Sequence, residues 1–252
     1  MNRSIDETPA AWPPEGEIFP IEGFEIRVSR APHPFSTGRE GAILDNWRTE
    51  IAANPALFNG QMLLQGDVSI SKAGIRTTAH PVSFSTFLLW RKSRPDVVGH
   101  HLFGLPVIVS SDGAVIAIRM AQHTANPGKV YCAAGSLDEN DIVDGVCDLE
   151  ANMAREVAEE TGLDLRQAVA DPGLHALHFD RIITIFRSYR FAATAEELLA
   201  VIDRHMRTDT EQEIDGAVAI FDSDPARHAY AAFMPPVLAW LFDRGQGREG
   251  QG

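Results

Sequence analysis

Three glutamates, Glu156, Glu159 and Glu160, stand within five residues of one another, with Arg155 the one arginine beside them. On a helix they occupy an arc of about 100°, and Glu156 and Glu160 lie one turn apart. Like charges at that spacing destabilise an isolated helix by roughly 0.2–0.5 kcal/mol. They also sit toward the helix C-terminus, where the macrodipole disfavours anions. One explanation is a solvated acidic face, relieved in part by Arg155. The other is a hard divalent cation such as Mg²⁺, which takes carboxylate oxygens and keeps several waters. Spacing alone leaves both open.

The surrounding residues add a resemblance. The run Arg155-Glu156-Val157-Ala158-Glu159-Glu160-Thr161-Gly162-Leu163 is similar at every position to the core motif of the Nudix hydrolases, R-E-U-x-E-E-x-G-U with U apolar. At average residue usage such a match arises by chance in a chain of this length with a frequency of about 10⁻⁴ to 10⁻⁵. The upstream arm of the motif fits less well. In GKVYCAAGSLD, residues 128–138, Gly135 matches, but Ala133 and Ala134 replace a proline and a glycine. The gap to the helix is six residues longer than the pattern, and Cys147 stands where a glutamate is usual, although Glu150 fills a second acidic position.

The resemblance implies a Mg²⁺-dependent phosphoanhydride hydrolase, with Mn²⁺ an acceptable substitute. Glu156, Glu159 and Glu160 would hold the metal with the backbone carbonyl of Ala134, and Arg155 would orient the glutamates. Metal ions neutralise a pyrophosphate and lower the pKa of an attacking water. A base must lie within reach of that water; Glu213 in DTEQEID is favoured, with Glu211 and Glu159 as alternatives. For phosphate contacts the chain offers Arg119, Arg187 or Arg190, since a guanidinium grips phosphate through paired donors. His123, on the loop before the motif, is a further substrate contact.

Bulk properties bound the partners. The 252 residues carry a formal net charge of −13, which excludes a basic nucleic-acid or anionic-membrane surface but not a cation-mediated phosphate ligand. The two cysteines, Cys132 and Cys147, make no disulfide framework and read as packing residues. MNRSIDETPAAWPP has no signal-like apolar region, and no apolar run approaches the roughly 18 residues that span a bilayer. The expectation is a soluble cytoplasmic protein.

The elements that must position these residues read as a mixed α/β fold, in Nudix terms an α/β/α sandwich with an N-terminal β/α extension. GFEIRVSR (23–30) alternates as a strand. Thr37 and Glu40 form a capping box for a helix carrying Ile43, Leu44, Trp47 and Ile51 and ending near Asn54-Pro55. QMLLQGDVSI and SFSTFLLW read as strands, and RKSRPDVVG as a boundary near residue 95. GLPVIVSSDGAVIAIRM reads as a hairpin, VYCAAG as a short strand, and SLDENDIVDG as an acidic loop. A helix runs from about Asp148 to Thr161 and stops at Gly162, with Met153, Ala154, Val157, Ala158 and Thr161 toward the sheet. RIITIFRSYRF is a strand, Thr194 and Glu197 cap a helix to about Arg207, and EIDGAVAIF is a strand. Residues 225–242 read as helix broken at Pro235-Pro236. The division is an extension over 1–95, its first 16 or so residues loose, a catalytic domain over 96–245 and a loose tail over 246–252.

The expected substrate is a nucleoside diphosphate linked to another moiety, an NDP-sugar or an ADP-ribose-like compound. The layout of Trp47, Leu57, Phe58 and a serine-aromatic strand loosely resembles the UDP-glucose-hydrolysing Nudix subgroup. A non-catalytic nucleotide-binding sensor is the alternative, and a homodimer is compatible with either.

Overall fold

The computed structural model describes residues 12–71, 73–94 and 96–249. In chain order the elements are β1 (Phe19–Ile21), β2 (Phe24–Val28), α1 (Glu40–Ala53), β3 (Gln61–Ser71), β4 (Gly74–Ser83), α2 (Phe84–Ser93), β5 (His101–Val109), β6 (Val115–Met120) and β7 (Val130–Tyr131). There follow β8 (Ile142–Val143), β9 (Val146–Cys147), α3 (Leu149–Thr161), β10 (Val169–Ala170), β11 (Leu174–Phe179), β12 (Ile182–Arg190), α4 (Ala195–Met206), β13 (Ile214–Ile220) and α5 (Met234–Glu249).

The strands form two sheets. The larger runs β1-β11-β12-β5-β6-β13, with β7 on β6 and β10 on β12. Its centre is a parallel pair, β5 with β12, in register from His101 opposite Ile182 to Val109 opposite Arg190. In β5, every residue after His101 is buried, as expected of a strand covered on both faces. Gly104 lets α3 lie close on that strand: a Cβ there would come within 2.6 Å of Met153 Cγ and 3.1 Å of Leu149 Cδ1. On the neighbouring side α4 packs against β13 and α3.

The smaller sheet runs β3-β4-β2-β9-β8. Its first three strands come from the N-terminal part of the chain, and its last two come from the acidic segment just before α3. Arg27 pairs with Val146 across that join. One apolar core accordingly unites Ile26, Leu63 and Ile75 with Leu105, Val157 and Ile185. A second cluster, including Phe35, Leu64, Phe87 and Trp90, lies beneath α1 and α2.

Several expectations need correction. SFSTFLLW is not a strand but forms most of helix α2, because Ser83 turns its hydroxyl to the Thr86 N–H and caps it. Thr37 does not cap α1; Arg39 occupies that place with no side-chain capping bond, and Glu40 Oε1 accepts from the Gly38 N–H instead. The apolar residues of α1 bury nothing fully, leaving Leu44 49% and Ile51 38% exposed. Pro235-Pro236 open α5 rather than break it, in keeping with the tolerance of a helix's first turn for proline. The helix then continues to Glu249, through the first residues expected as tail; residues 250–252, like the N-terminal residues 1–11, lie outside the described ones. The segment expected as a plain acidic loop contains a 3₁₀ turn over Glu139–Asp141 and the β8–β9 hairpin. No helix among the described residues is long and apolar enough to cross a membrane.

Candidate active site

Helix α3 starts and stops where its sequence dictates. Asp148 accepts from the Ala151 N–H at 2.9 Å, and Gly162 takes the left-handed conformation at φ 69° that ends the helix. The buried face is rotated from the expected arc, toward Asn152 and Glu160 and away from Ala154, which is half-buried. Leu149, Asn152, Met153, Val157, Glu160 and Thr161 are buried, whereas Ala158 is exposed. Glu160 is therefore not part of a solvated face. It is the acid the protein has turned inward.

Burial, then Glu156 and Glu213, push the Glu160 carboxyl well above the usual carboxylate range, against a hydrogen bond from the Ala134 backbone N–H. Its Oε2 is buried with no hydrogen-bond partner. Glu156 is close to buried too, and burial, opposed by Arg155 and reinforced by Glu159 and Asp141, raises its pKa to about 7. Its carboxylate lies against Gly135: a Cβ on that glycine would sit 2.3 Å from Glu156 Oε2. The match of Gly135 to the motif thus has a steric cause, since only a residue without a side chain lets the turn after β7 approach the acid.

Arg155 is the local counter-charge. Its guanidinium reaches Glu156 Oε1 at 2.9 Å, Glu159 Oε2 at 2.8 Å and Asp141 Oδ1 at 3.2 Å. Burial works against its charge, but Glu156, Asp141 and Glu159 outweigh that and raise its pKa. Asp141 was not foreseen. It is 4% exposed, accepts from Asn152 Nδ2 at 2.9 Å as well as from Arg155, and caps its own turn through the Asp138 N–H. The acidic insertion before α3 therefore supplies an anchor for the arginine that holds the motif glutamates. At the other end of α3, His205 of α4 hydrogen-bonds the Glu159 carbonyl at 2.7 Å.

The remaining expected residues divide. Glu213 enters the same field: partial burial, then Glu211, Asp209 and Glu159, raise its pKa, and His123 lowers it. Tyr131, buried on β7, joins them, with its pKa raised by burial and further by Glu160, Glu213 and Glu156. Arg119, in contrast, is engaged with Asp215, its Nε 2.5 Å from Oδ1, and lies over Gly216. Arg187 pairs with Glu150 at 3.1 Å and Arg190 with Asp171 at 3.3 Å, so Glu150 serves as an arginine partner at the start of α3. Both cysteines are buried, and burial raises each thiol to about 12, which suits packing residues.

Among the described residues, no three Asp, Glu, His or Cys side chains converge in this conformation closely enough to hold an ion. The reason is visible: Arg155 draws Glu156 and Glu159 to itself, while Glu160 points to the turn after β7. The donor chemistry nevertheless fits a hard cation. Glu160 offers an orphaned buried oxygen, and Glu156 offers a carboxyl whose burial disfavours its charge until a cation is near.

No family model matches the chain, and no curated protein matches it. Solved structures do. The fold is similar to that of DR0079 from Deinococcus radiodurans, at 10% identity over 73% of this chain and 99% of that one, with a TM-score of 0.45. It is similar to the MutT protein from Methanosarcina mazei Go1, at 17% identity over 61% and 96% of the two chains, with a TM-score of 0.38. A third is the NUDIX domain of Shewanella oneidensis NrtR, solved with ADP ribose, at 13% identity over 64% and 97%, with a TM-score of 0.40. Nudix proteins stand among the neighbours by name. Similarity at this distance concerns the course of the chain, so the functional reading rests on the residues of the site.

Proposed function

We propose that this chain is a Nudix hydrolase, Mg²⁺-dependent, that cleaves the pyrophosphate of a nucleoside diphosphate linked to another moiety. The products are a nucleoside monophosphate and a phosphorylated remainder. The observation that carries the reading is the unpartnered, buried Oε2 of Glu160 beside Glu156. Burying a charge without a partner costs several kcal/mol, about 3–5 when a pair is broken. A helix that retains such an acid beside Glu156, with a glycine shaped to the latter, is arranged for a cation that comes with its substrate.

Glu156, Glu159 and Glu160 would hold the metal, which when bound supplies charge neutralisation of the pyrophosphate and a more acidic water. Arg155, anchored by Asp141, keeps Glu156 and Glu159 oriented. Glu213, whose carboxyl pKa is raised by partial burial and by neighbouring acids, would take the proton of the attacking water. Residues 96–245 form the catalytic unit in this reading, and residues before 96 an extension to it. The substrate is an NDP-sugar or an ADP-ribose-like compound. The layout argument for UDP-glucose loses one of its parts, because SFSTFLLW is helical, and Phe58 is 83% exposed.

The test is a panel of nucleoside diphosphate conjugates incubated with Mg²⁺, with released monophosphate measured. Turnover of at least one compound is expected, with kcat lowered by about 10²-fold or more in Glu160→Gln. A folded wild type that binds metal and nucleotide yet turns over nothing in the panel would favour the sensor reading.

A further inference from the structure

The arginines expected to meet phosphate, Arg119 and Arg187, both have carboxylate partners within the protein. Arg91, in the last turn of α2, does not. Among the described residues its guanidinium has no carboxylate within ion-pair distance. Its polar contact is Asn126 Oδ1 at 3.4 Å, and it lies over the Phe87 ring at 5.8 Å from the centroid. Burial, then the neighbouring Arg94, lower its pKa, opposed by Glu50 and Tyr131. Glu50 is itself held by Lys92 at 2.5 Å.

Placement gives this cation its meaning. Asn126 bonds Arg91 through its oxygen and the Tyr131 hydroxyl through its Nδ2, the latter at 3.4 Å. Burial raises the Tyr131 hydroxyl, Asn126 opposes that, and Glu160, Glu213 and Glu156 add to it. The loop that carries Asn126 is fastened to the end of α1 as well, because Asn54 Nδ2 donates to the His123 carbonyl at 2.8 Å. A half-buried positive charge without a carboxylate partner among the described residues is therefore tied through Asn126 to Tyr131, at the end of the strand that leads into the turn lying against Glu156.

We propose that Arg91 is a substrate-binding residue that grips a phosphate of the nucleoside diphosphate moiety, so that α2 and the 121–128 loop form the side of the site that selects a diphosphate. This rests on the hydrolase reading for its substrate class. A guanidinium can make paired, charge-assisted bonds to phosphate oxygens that an ammonium cannot reproduce in the same geometry.

The experiment uses the full chain and the variants Arg91→Gln and Arg91→Lys, with Arg166→Gln, an exposed arginine outside the site, as control. Steady-state kinetics on any substrate turned over are paired with calorimetric titration of α,β-methylene-ADP in Mg²⁺ and with melting curves. Arg91→Gln is expected to raise KM and weaken the ADP analogue about ten- to hundredfold, with kcat changed little and the melting temperature held. Arg91→Lys is expected to recover part of the loss. Unchanged KM and affinity in Arg91→Gln, with or without a lower melting temperature, would overturn the proposal and leave Arg91 a brace for the loop. Because the titration needs no turnover, a wild type that binds the analogue but hydrolyses nothing still tests Arg91, and only the hydrolase reading then fails.

Discussion

Glu156 carries a testable consequence of burying a carboxyl under a glycine beside other acids. Its carboxyl ordinarily titrates near 4.5 and is raised to about 7 in the folded protein. Below pH 4.5 it is protonated in both folded and unfolded chains and contributes no difference. As pH rises through that value the unfolded chain gains charge readily while the folded one resists, so stability falls until the folded group has ionised near pH 7. The cost at higher pH is of the order of 3 kcal/mol. In metal-free buffer, Glu156→Gln is therefore expected to be more stable than wild type at pH 8 and to lose that advantage by pH 4.5, read by urea denaturation at both pH values. A pH-independent difference would show that the acid is not strained. Gly135→Ala tests the same contact from the other side. A methyl 2.3 Å from the carboxylate oxygen must displace either the turn or Glu156, so activity is expected to fall at least tenfold. Assay of the variant against the substrate panel checks it. The motif residues were legible because their types and spacing lie within nine positions. Asp141 was not, because its pairing with Arg155 crosses a turn and a hairpin that no periodicity announces.

At the scale of elements, what the sequence revealed depended on whether local and tertiary signals agreed. Helices α3 and α4 carry their own caps: Thr194 and Glu197 exchange bonds, with the Thr194 N–H reaching Glu197 Oε2 at 2.8 Å. Strands β5, β6, β12 and β13 are apolar runs bounded by turns, and they appear where expected. SFSTFLLW reads as a strand because phenylalanine, threonine and tryptophan favour strands, while the Ser83 hydroxyl caps a helix. Ser83 Oγ also lies 2.8 Å from Ser85 Oγ and 2.9 Å from Thr86 Oγ1, so the cap is a small network. Ser83→Ala is expected to cost about 0.5–2 kcal/mol in urea denaturation. Because α2 carries Arg91, the same change is expected to weaken binding of an ADP analogue modestly. The hairpin partner β11 carries no turn signal in its sequence: its turn, Asp180-Arg181, uses two non-glycine residues at φ 43° and 59° in place of the usual Asn-Gly.

At the scale of the molecule, the division near residue 95 is a division of sequence rather than of packing. Strand β1 completes the large sheet by pairing with β11, Phe19 opposite Ala176. Strands β8 and β9 follow residue 95 in sequence, yet β9 pairs with β2, and β8 with β9, in the small sheet. Leu63 N–H donates to the Leu137 carbonyl at 2.8 Å, and His101 Nε2 meets Ser136 Oγ at 3.1 Å, so the turn that cradles Glu156 is tied to elements from both parts. A chain beginning at residue 96 would lose Ile26, Leu63 and Ile75 from the main core and leave β9 as an unpaired edge next to an exposed apolar face. Losing the apolar burial that side chains of that size provide costs about 1.5–3 kcal/mol each, so three of them approach the whole margin of a typical domain. Residues 96–252 expressed alone are expected to give weak near-ultraviolet circular dichroism and poorly dispersed amide resonances. Co-expressed residues 1–95 are expected to restore both. A well-dispersed spectrum from the fragment alone would show that residues 96–252 fold without residues 1–95, and that the shared sheet is not needed for the stability of the fold.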